Sequence, residues 1–217
     1  MKEAPDIVAR SIALYDAAAE EHGISSLAVH WADQQTQYLR FAEIVRNLDL
    51  NNPNVTLLDV GCGNGELFKF LNFLGYRGRY TGYDINEKLL GQARARFSGV
   101  DVAEVDILRD TDERRFDYVV ASGIFNAEVG QTVPWVQAFL ERMFALCTTS
   151  LVFNAISTHV SFRDRNMFYL DPAEMLGFCL TRLSKRTSIL HHNLPNNYTV
   201  HVSKQEQWSS VRERFAE

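Results

Sequence analysis

Short apolar runs alternate with helix-like segments over the larger part of the chain. The runs "VTLLDV", "GRYTGYD", "GVDVAEV", "FDYVVAS" and "SLVFNAI" have the length and composition of strands. Between them, segments 65–74, 86–96 and 133–146 space their apolar residues as helices do. Alternation of this kind is typical of a parallel sheet with crossover helices. It predicts a doubly wound α/β domain.

The two ends of this region follow different patterns. Residues 6–21 and 33–48 have apolar positions at helical spacing, so we expect two helices before the first strand, with Asp6 and Asp33 as N-caps. Further along, "RTSILHH" and "YTVHVSK" are joined by a five-residue turn, which predicts a β-hairpin. The expected fold is a seven-stranded, mostly parallel sheet whose last strand runs antiparallel beside the fifth.

Together these patterns predict one structural unit. Residues 1–50 form an N-terminal helical cap over a cleft, and residues 51–217 form the α/β domain. A length of 217 residues with 46% hydrophobic composition suits a single core of this size.

Charge and cysteine content narrow the possible partners and compartments. The formal net charge is −5, and no block of lysines or arginines advertises a nucleic-acid surface. No apolar run approaches the roughly 20 residues that cross a bilayer. Three scattered cysteines and a charged first segment indicate a reduced, cytoplasmic protein. We therefore expect no membrane and no nucleic-acid partner, and the oligomeric state stays open.

The stretch "LLDVGCGNGEL" places three glycines at alternate positions directly after the first predicted strand. Gly61, Gly63 and Gly65 allow positive φ angles and close approach of a ligand to the main chain. A dinucleotide fingerprint would have the spacing G-x-G-x-x-G. The spacing here is G-x-G-x-G, followed by Glu66, an acid that would repel a pyrophosphate. A nicotinamide-dependent oxidoreductase is thus the weaker of two interpretations.

The nine residues "LLDVGCGNG" resemble motif I of the class I S-adenosylmethionine (SAM) dependent methyltransferases, and the resemblance extends over about residues 35–203. It implies SAM as cofactor and S-adenosylhomocysteine (SAH) as product. The resemblance implies that Asp59 meets the cofactor ammonium, Asp84 the ribose hydroxyls and Asp106 the adenine amino group. The remaining implied cofactor contacts are Arg40, Gly61, Cys62, Gly63, Gly65, Ile85, Ile107, Ser122 and Gly123.

Each of these assignments has a purely structural alternative. The glycine turn would also serve strand–helix packing, and Asp84 suits the N-cap of helix 86–96. Asp106 fits a surface turn, and Arg40 fits a solvated helix position.

Acceptor and catalytic residues leave a fainter pattern, because a sulfonium cofactor brings its own leaving group and the protein mainly aligns the reactants. The irregular segment after the fifth strand is expected to be a loop over the cleft. His159 in that loop is the candidate base, since imidazole titrates near neutrality; a solvated loop histidine is the alternative. Candidate acceptor contacts are Tyr15, Trp31, Tyr38, Phe125, Asn126, Arg163 and Tyr198.

Two further observations bear on function. His191 and His192 are adjacent on a predicted strand and point to opposite faces, so no metal site is expected. The segment "ASGIFN" differs from the Asn/Asp-Pro-Pro-aromatic motif of enzymes that methylate amino groups of nucleobases or glutamine amides. By resemblance to enzymes of bacterial surface-sugar and secondary-metabolite pathways, the expected acceptor is an oxygen or nitrogen of a small polar metabolite. A protein or RNA methyltransferase and a non-catalytic SAM-binding partner protein are the alternatives.

Overall fold

The computed structural model describes residues 6–23, 34–46, 48–111, 113–194 and 196–205. The helices are α1 (Ile7–His22), α2 (Gln34–Val45), α3 (Glu66–Phe73), α4 (Glu87–Arg96), α5 (Val133–Leu146) and α6 (Pro172–Phe178), the last continued by a π-helical turn, Cys179–Leu183. The strands are β1 (Thr56–Val60), β2 (Arg79–Asp84), β3 (Val102–Glu104), β4 (Phe116–Ala121), β5 (Cys147–Ile156), β6 (Thr187–Leu190) and β7 (Asn197–Ser203).

The seven strands form one sheet in the order β3-β2-β1-β4-β5-β7-β6. The pairs among β1 to β5 are parallel, whereas β7 runs antiparallel to both β5 and β6. All of β7 is buried because it lies between two other strands. The predicted α/β sheet, the antiparallel last strand beside the fifth and the terminal hairpin are confirmed.

Each face of the sheet has its own apolar layer, because side chains alternate along a strand. On one face, Leu58 and Leu151 pack in the same cluster as Leu140 of α5. On the other face, Leu57 packs in the same cluster as Ile44 of α2. Helices therefore cover both sides of the sheet, and the carboxyl ends of the parallel strands share one edge.

The helix boundaries follow local chemistry. The Asp6 carboxylate accepts a hydrogen bond from the Ala9 amide at 3.2 Å and caps α1, and Gly23 ends this helix. The cap at Asp6 was predicted. The second helix ends at Val45, three residues before its predicted end, and its predicted cap, Asp33, lies outside the described residues. Within the part of the chain that the structure describes, no helix is long and apolar enough to span a membrane.

Candidate functional site

A cavity of about 300 Å³ lies at the carboxyl edge of the parallel strands, beneath α1 and α2. Loops after β1, β2, β3 and β4 line it, as expected for the ligand crevice of an open α/β sheet. The structure brings most of the predicted site residues together here. These are Tyr15, Arg40, Asp59, Gly61, Cys62, Gly63, Asp84, Ile85, Asp106, Ile107, Ser122, Gly123 and Asn126.

The glycine loop after β1 is tightly packed. Gly61 has φ of +76°, and its amide donates to the Tyr83 carbonyl oxygen at 2.7 Å. A Cβ atom at this position would lie 2.0 Å from Cγ2 of Ile124, so only glycine fits without movement. Gly65 has φ of +84° and begins α3; a Cβ there would meet the Phe97 ring at 3.0 Å. Gly65 does not line the cavity, so its role in this structure is packing.

Asp84 at the end of β2 is hydrogen-bonded to the glycine loop and to the start of α4. One carboxylate oxygen accepts from the Gly63 amide at 2.7 Å, and the other accepts from the Asn86 amide at 2.9 Å. Asn86, whose side chain accepts from the Leu89 amide at 3.0 Å, is the N-cap of α4. Burial raises the pKa of Asp84, and the backbone hydrogen bonds act in the opposite direction.

Asp59 is the second buried acid of the cavity, with 2% of its surface exposed. Its carboxylate accepts from the Tyr80 hydroxyl at 2.8 Å. Burial raises the pKa of Asp59 to about 7, and the negative charge of Asp84 acts in the same direction. Two neighbouring acids in a desolvated pocket favour a ligand that brings positive charge.

The acid that follows the glycines is compensated within the protein. Glu66 is 6% exposed and pairs with the Arg96 guanidinium, and Lys69 lies 3.8 Å away. The Tyr38 hydroxyl donates to Glu66 at 3.5 Å, and the Tyr38 ring packs 5.3 Å from the Phe70 ring. Tyr38 thus packs behind the glycine loop and does not line the cavity.

The far end of the cavity lies between the loop after β3 and helix α5. Asp106 accepts from the Leu108 amide at 3.0 Å, and Ile107 is buried beside it. From α5, Trp135 and Phe139 also line the cavity, with ring centroids 5.1 Å apart. This pocket of apolar and aromatic surface with one acid suits a planar heterocycle that carries a donor.

Helix α1 lines the cavity with more side chains than were predicted as site residues. Its residues along the cavity are Ile7, Val8, Ser11, Ile12, Leu14 and Tyr15, of which only Tyr15 was predicted. The side-chain amide of Asn86 donates to the Asp16 carboxylate at 2.9 Å, and Lys88 Nζ lies 2.6 Å from the Glu20 carboxylate. These contacts fasten α1 to α4. Burial raises the pKa of Tyr15 to about 12, and the charge of Asp84 acts in the same direction.

The loop after β4 is held from the neighbouring strand. Oδ1 of the Asn154 side chain accepts from the backbone amide of Gly123 at 3.0 Å. Nδ2 of the same side chain donates to the Ser122 hydroxyl at 2.9 Å. Asn126 follows on the same loop and lines the cavity. Phe125 points the other way, into the core, where it packs edge-on against Phe139 and Phe153. The expected contact between Phe125 and a substrate is therefore not seen.

Three more predicted residues lie away from the cavity. His159 is exposed, and its backbone amide donates to the Ser157 hydroxyl at 3.0 Å. Arg163 is exposed and stacks on the Tyr169 ring at 5.3 Å. Tyr198 lies in the core, 1% exposed, because it belongs to β7, which is covered by strands on both sides.

The loop after β5 does reach the cavity, through Asn166 and Met167. Trp31 lies outside the described residues. Among the described residues, no group of three metal-ligating side chains is present.

Comparisons with known proteins place this geometry in a family. Residues 58–150 match the family described as "Methyltransferase domain". Over 153 residues the chain is 31% identical to a Mycobacterium tuberculosis protein named "Putative methyltransferase Rv1506c", covering 67% of this chain and 91% of that protein. The chain belongs to the class I SAM-dependent methyltransferases.

Solved structures share the fold of this methyltransferase. Magnesium protoporphyrin IX methyltransferase from Synechocystis PCC 6803 with bound SAM has a TM-score of 0.65 at 15% identity, covering 94% of this chain and all (100%) of that chain. The small RNA methyltransferase HEN1 has a TM-score of 0.58 at 16% identity, covering 79% of this chain and 25% of that chain. The cofactor of this methyltransferase is SAM, and the two buried acids beside the glycine loop fit a ligand with an ammonium, a sulfonium and a ribose.

Proposed function

We propose that this methyltransferase moves the SAM methyl group to an oxygen or nitrogen atom of a small polar metabolite. The observation that carries the proposal is the size and cover of the cavity. About 300 Å³ lies beneath α1 and α2, at the small end of the roughly 300–1,000 Å³ range of ligand pockets. A polymer acceptor needs an open groove, whereas this cavity suits the cofactor and a compact acceptor.

The proposed cofactor contacts follow the charges of the cavity. Asp59 pairs with the SAM ammonium, and Arg40 of α2, 7% exposed, pairs with the carboxylate of its methionine part. Asp84 accepts both ribose hydroxyls. Asp106 and Ile107 hold the adenine against the aromatic surface of Trp135 and Phe139. Cys62, Ile85, Ser122 and Gly123 complete the surface around the adenosyl and methionine parts.

The bound cofactor supplies an electrophilic methyl group and its leaving group. The protein's part in the proposal is alignment and exclusion of water. Asn154 fixes Ser122 and Gly123 at 2.9 and 3.0 Å, so the edge of the cavity nearest the transferred methyl is rigid. Rigid alignment of this kind raises the rate of the methyl-transfer step.

A general base is not part of the proposal. Among the described cavity residues there is no histidine, and the high pKa of Tyr15, about 12, keeps that phenol protonated at neutral pH. His159 is exposed on the loop outside, which weighs against the role expected for it. In the proposed step the acceptor oxygen or nitrogen forms a bond to the methyl carbon as the carbon–sulfur bond of the sulfonium breaks. SAH is the leaving group, and the proton that the acceptor O–H or N–H gives up passes to solvent water.

Residues 1–50 act as the lid in this proposal. Helix α1 faces the cavity with apolar side chains and is fastened to α4 by the Asp16–Asn86 hydrogen bond. Opening of α1 would admit the cofactor, and closing would exclude water. We place the cofactor and acceptor in one domain under this helical cap, in a cytoplasmic enzyme.

Methyl transfer to unfractionated pools tests the proposed function. Protein and labelled SAM are incubated with a small-metabolite extract, with tRNA and with a peptide mixture, and label transfer and SAH release are measured. Asp84→Ala, run in parallel, gives the background. We expect turnover with the metabolite extract alone.

The other possible results of this assay would favour the alternative functions. Label on tRNA or peptides, with a strong salt dependence for tRNA, would favour the RNA or protein alternative. Tight SAM binding without label in any pool would favour the non-catalytic partner protein. Either result would end the small-metabolite proposal.

A further inference from the structure

Two amide side chains of the cavity have a buried oxygen without a donor. Gln37 of α2 is 2% exposed, and Asn126 follows the rigid Ser122–Gly123 corner. Both residues line the cavity. Among the described residues, nothing donates a hydrogen bond to Oε1 of Gln37 or to Oδ1 of Asn126.

Two other asparagines of this region differ in their hydrogen bonding. Both side-chain amide atoms of Asn64, which also lines the cavity, have no partner among the described residues. Asn154, 1% exposed, uses both ends of its amide: its oxygen accepts from Gly123 and its nitrogen donates to Ser122. A buried polar atom that lacks a partner destabilises the folded protein by roughly 1–3 kcal/mol. Two such oxygens on the wall of a ligand cavity therefore indicate that a ligand supplies the donors.

The donors of SAM have other partners in the proposed binding mode. Its ammonium faces Asp59, its ribose hydroxyls face Asp84, and its adenine amino group faces Asp106. Gln37 lies one helical turn before Arg40 on the same face of α2, so in the proposed binding mode it lies near the methionine end of the cofactor. The two amides are left for the second substrate.

A further unpartnered oxygen belongs to Asn197, which lies beside the cavity lining and not in it. Asn197 of β7 is 7% exposed, its Oδ1 also has no donor among the described residues, and it is the register partner of Ile156, which lines the cavity. The unpartnered atoms of Gln37, Asn126 and Asn197 are side-chain carbonyl oxygens. The chemistry they lack is that of a hydrogen-bond donor.

We propose that Gln37 and Asn126 select an acceptor that presents at least two O–H or N–H donors, such as a polyhydroxylated or amino-bearing metabolite. This inference rests on the proposed function, because it concerns the small acceptor of the same cavity. An acceptor or product whose donors are already methylated leaves the amide oxygens without partners and binds weakly. The pair therefore distinguishes substrate from product.

The first test needs no ligand. Gln37→Met and Asn126→Leu remove the orphan oxygens at nearly constant volume, so each variant should melt about 2–4 °C above the wild type. The matched control is Asn154→Leu, which should melt lower because it leaves the Gly123 amide and the Ser122 hydroxyl without their partner. Lower melting temperatures for both Gln37→Met and Asn126→Leu would overturn the proposal.

The second test measures selection directly on the SAH-loaded protein. Ligand-observed NMR compares glucose, myo-inositol, glucosamine and catechol with their fully O- or N-methylated counterparts. We expect at least one parent compound to bind about tenfold more tightly than its methylated form, as the loss of about one buried hydrogen bond predicts. Gln37→Met and Asn126→Leu should abolish that preference while SAH affinity stays unchanged.

Two results would overturn the inference: methylated forms that bind as well as their parents, or a panel in which no parent binds. Failure of the proposed function is visible separately, as label on tRNA or peptides in the pool assay. The melting and NMR measurements do not depend on that outcome.

Discussion

The Asp84 carboxylate accepts a hydrogen bond from the Gly63 amide at 2.7 Å and so joins the end of β2 to the loop that follows β1. Its other oxygen accepts from the Asn86 amide at 2.9 Å, at the start of α4. One side chain thus sets the distance between two loops of the cavity. A carboxylate has about four acceptor sites, so this side chain can also accept a hydrogen bond from a ligand.

Replacing Asp84 by alanine should weaken SAM and SAH binding by about 10- to 100-fold, because charge-assisted hydrogen bonds contribute about 1.5–3 kcal/mol each. The measurement is a thermal-shift titration with SAM, SAH and NAD, since a ligand of the folded state raises its melting temperature. NAD should have no effect on either protein.

Asp101→Ala is the matched control for Asp84→Ala. The Asp101 carboxylate also accepts a hydrogen bond, from the Thr81 hydroxyl at 2.7 Å, but Asp101 lies outside the cavity. It should leave SAM affinity unchanged. Equal weakening in both variants would mean that the loss comes from general destabilisation.

Cofactor binding should weaken as the pH falls below 7. Burial, together with the charge of Asp84, raises the pKa of Asp59 to about 7, so this carboxyl is protonated in mildly acid solution and cannot pair with an ammonium. SAM affinity should drop about tenfold per pH unit between pH 7 and 5. Isothermal titration across this range measures it. Asp59→Asn should bind weakly at every pH, with a flat profile.

The stability of the cofactor-free protein should change in the opposite sense. The folded-state pKa of Asp59, about 7, lies above its ordinary value of 3.8, so the folded state holds a proton that the unfolded state releases. The stabilisation is complete below about pH 4 and is lost as the pH rises through 7. The melting temperature of the wild type minus that of Asp59→Asn should therefore decrease as the pH rises from about 4 to about 7. A constant difference would contradict the buried-acid assignment.

Alanine at Gly61 should destabilise the protein far more than alanine at Gly99. Both glycines have nearly the same φ, +76° and +75°, so the backbone strain of about 1–2 kcal/mol is common to both. A Cβ at Gly61 meets Ile124 at 2.0 Å, whereas one at Gly99 meets nothing within 4 Å. Overpacking should add about 1–3 kcal/mol at Gly61 alone. Urea unfolding of the two variants measures the difference between their free energies of unfolding. Equal free energies would contradict the tight packing of the glycine loop.

Removing the Asp16–Asn86 hydrogen bond of α1 should lower cofactor affinity more than removing the exposed Glu20–Lys88 ion pair. Asp16→Ala removes the hydrogen bond from Asn86, which is 3% exposed, whereas Glu20→Ala removes an ion pair with Lys88 whose side chains are 73% and 42% exposed. Exposed pairs contribute about 0–1 kcal/mol.

Hydrogen exchange of α1 amides and SAH affinity test this contrast. Asp16→Ala should speed exchange across Ile7–His22 and weaken SAH binding by about 3- to 10-fold, the equivalent of about one neutral hydrogen bond. Glu20→Ala should change neither by more than twofold. A larger effect of Glu20→Ala would show that the surface pair fastens the helix.

The sheet and the cofactor loop could be predicted because their signals are local. An apolar run, a glycine turn and a strand-end acid occupy adjacent positions, as Asp59 and Gly61 show. Parallel strands then bring such turns to one edge whatever the rest of the chain does. Asp84 was placed correctly at that edge, and its competing role as a helix cap falls instead to Asn86.

Residues whose direction depends on long-range packing could not be predicted. Phe125 and Asn126 are neighbours, yet one enters the core and the other lines the cavity. His159 and Met167 belong to one loop, and only the second turns inward. The missing partners of Gln37 and Asn126 are a property of the folded protein, since an orphan oxygen leaves no trace in the sequence.

The position of β7 has a consequence for synthesis on the ribosome. β7 pairs with β5 across all seven of its residues, yet about 40 residues are made between the two strands. At about 5–20 residues per second, the nascent chain carries a bare β5 edge for roughly 2–8 seconds. Such an edge is a template for pairing with other chains. The yield of folded enzyme in a cell should therefore depend on the concentration of other unfolded chains near the ribosome during that interval.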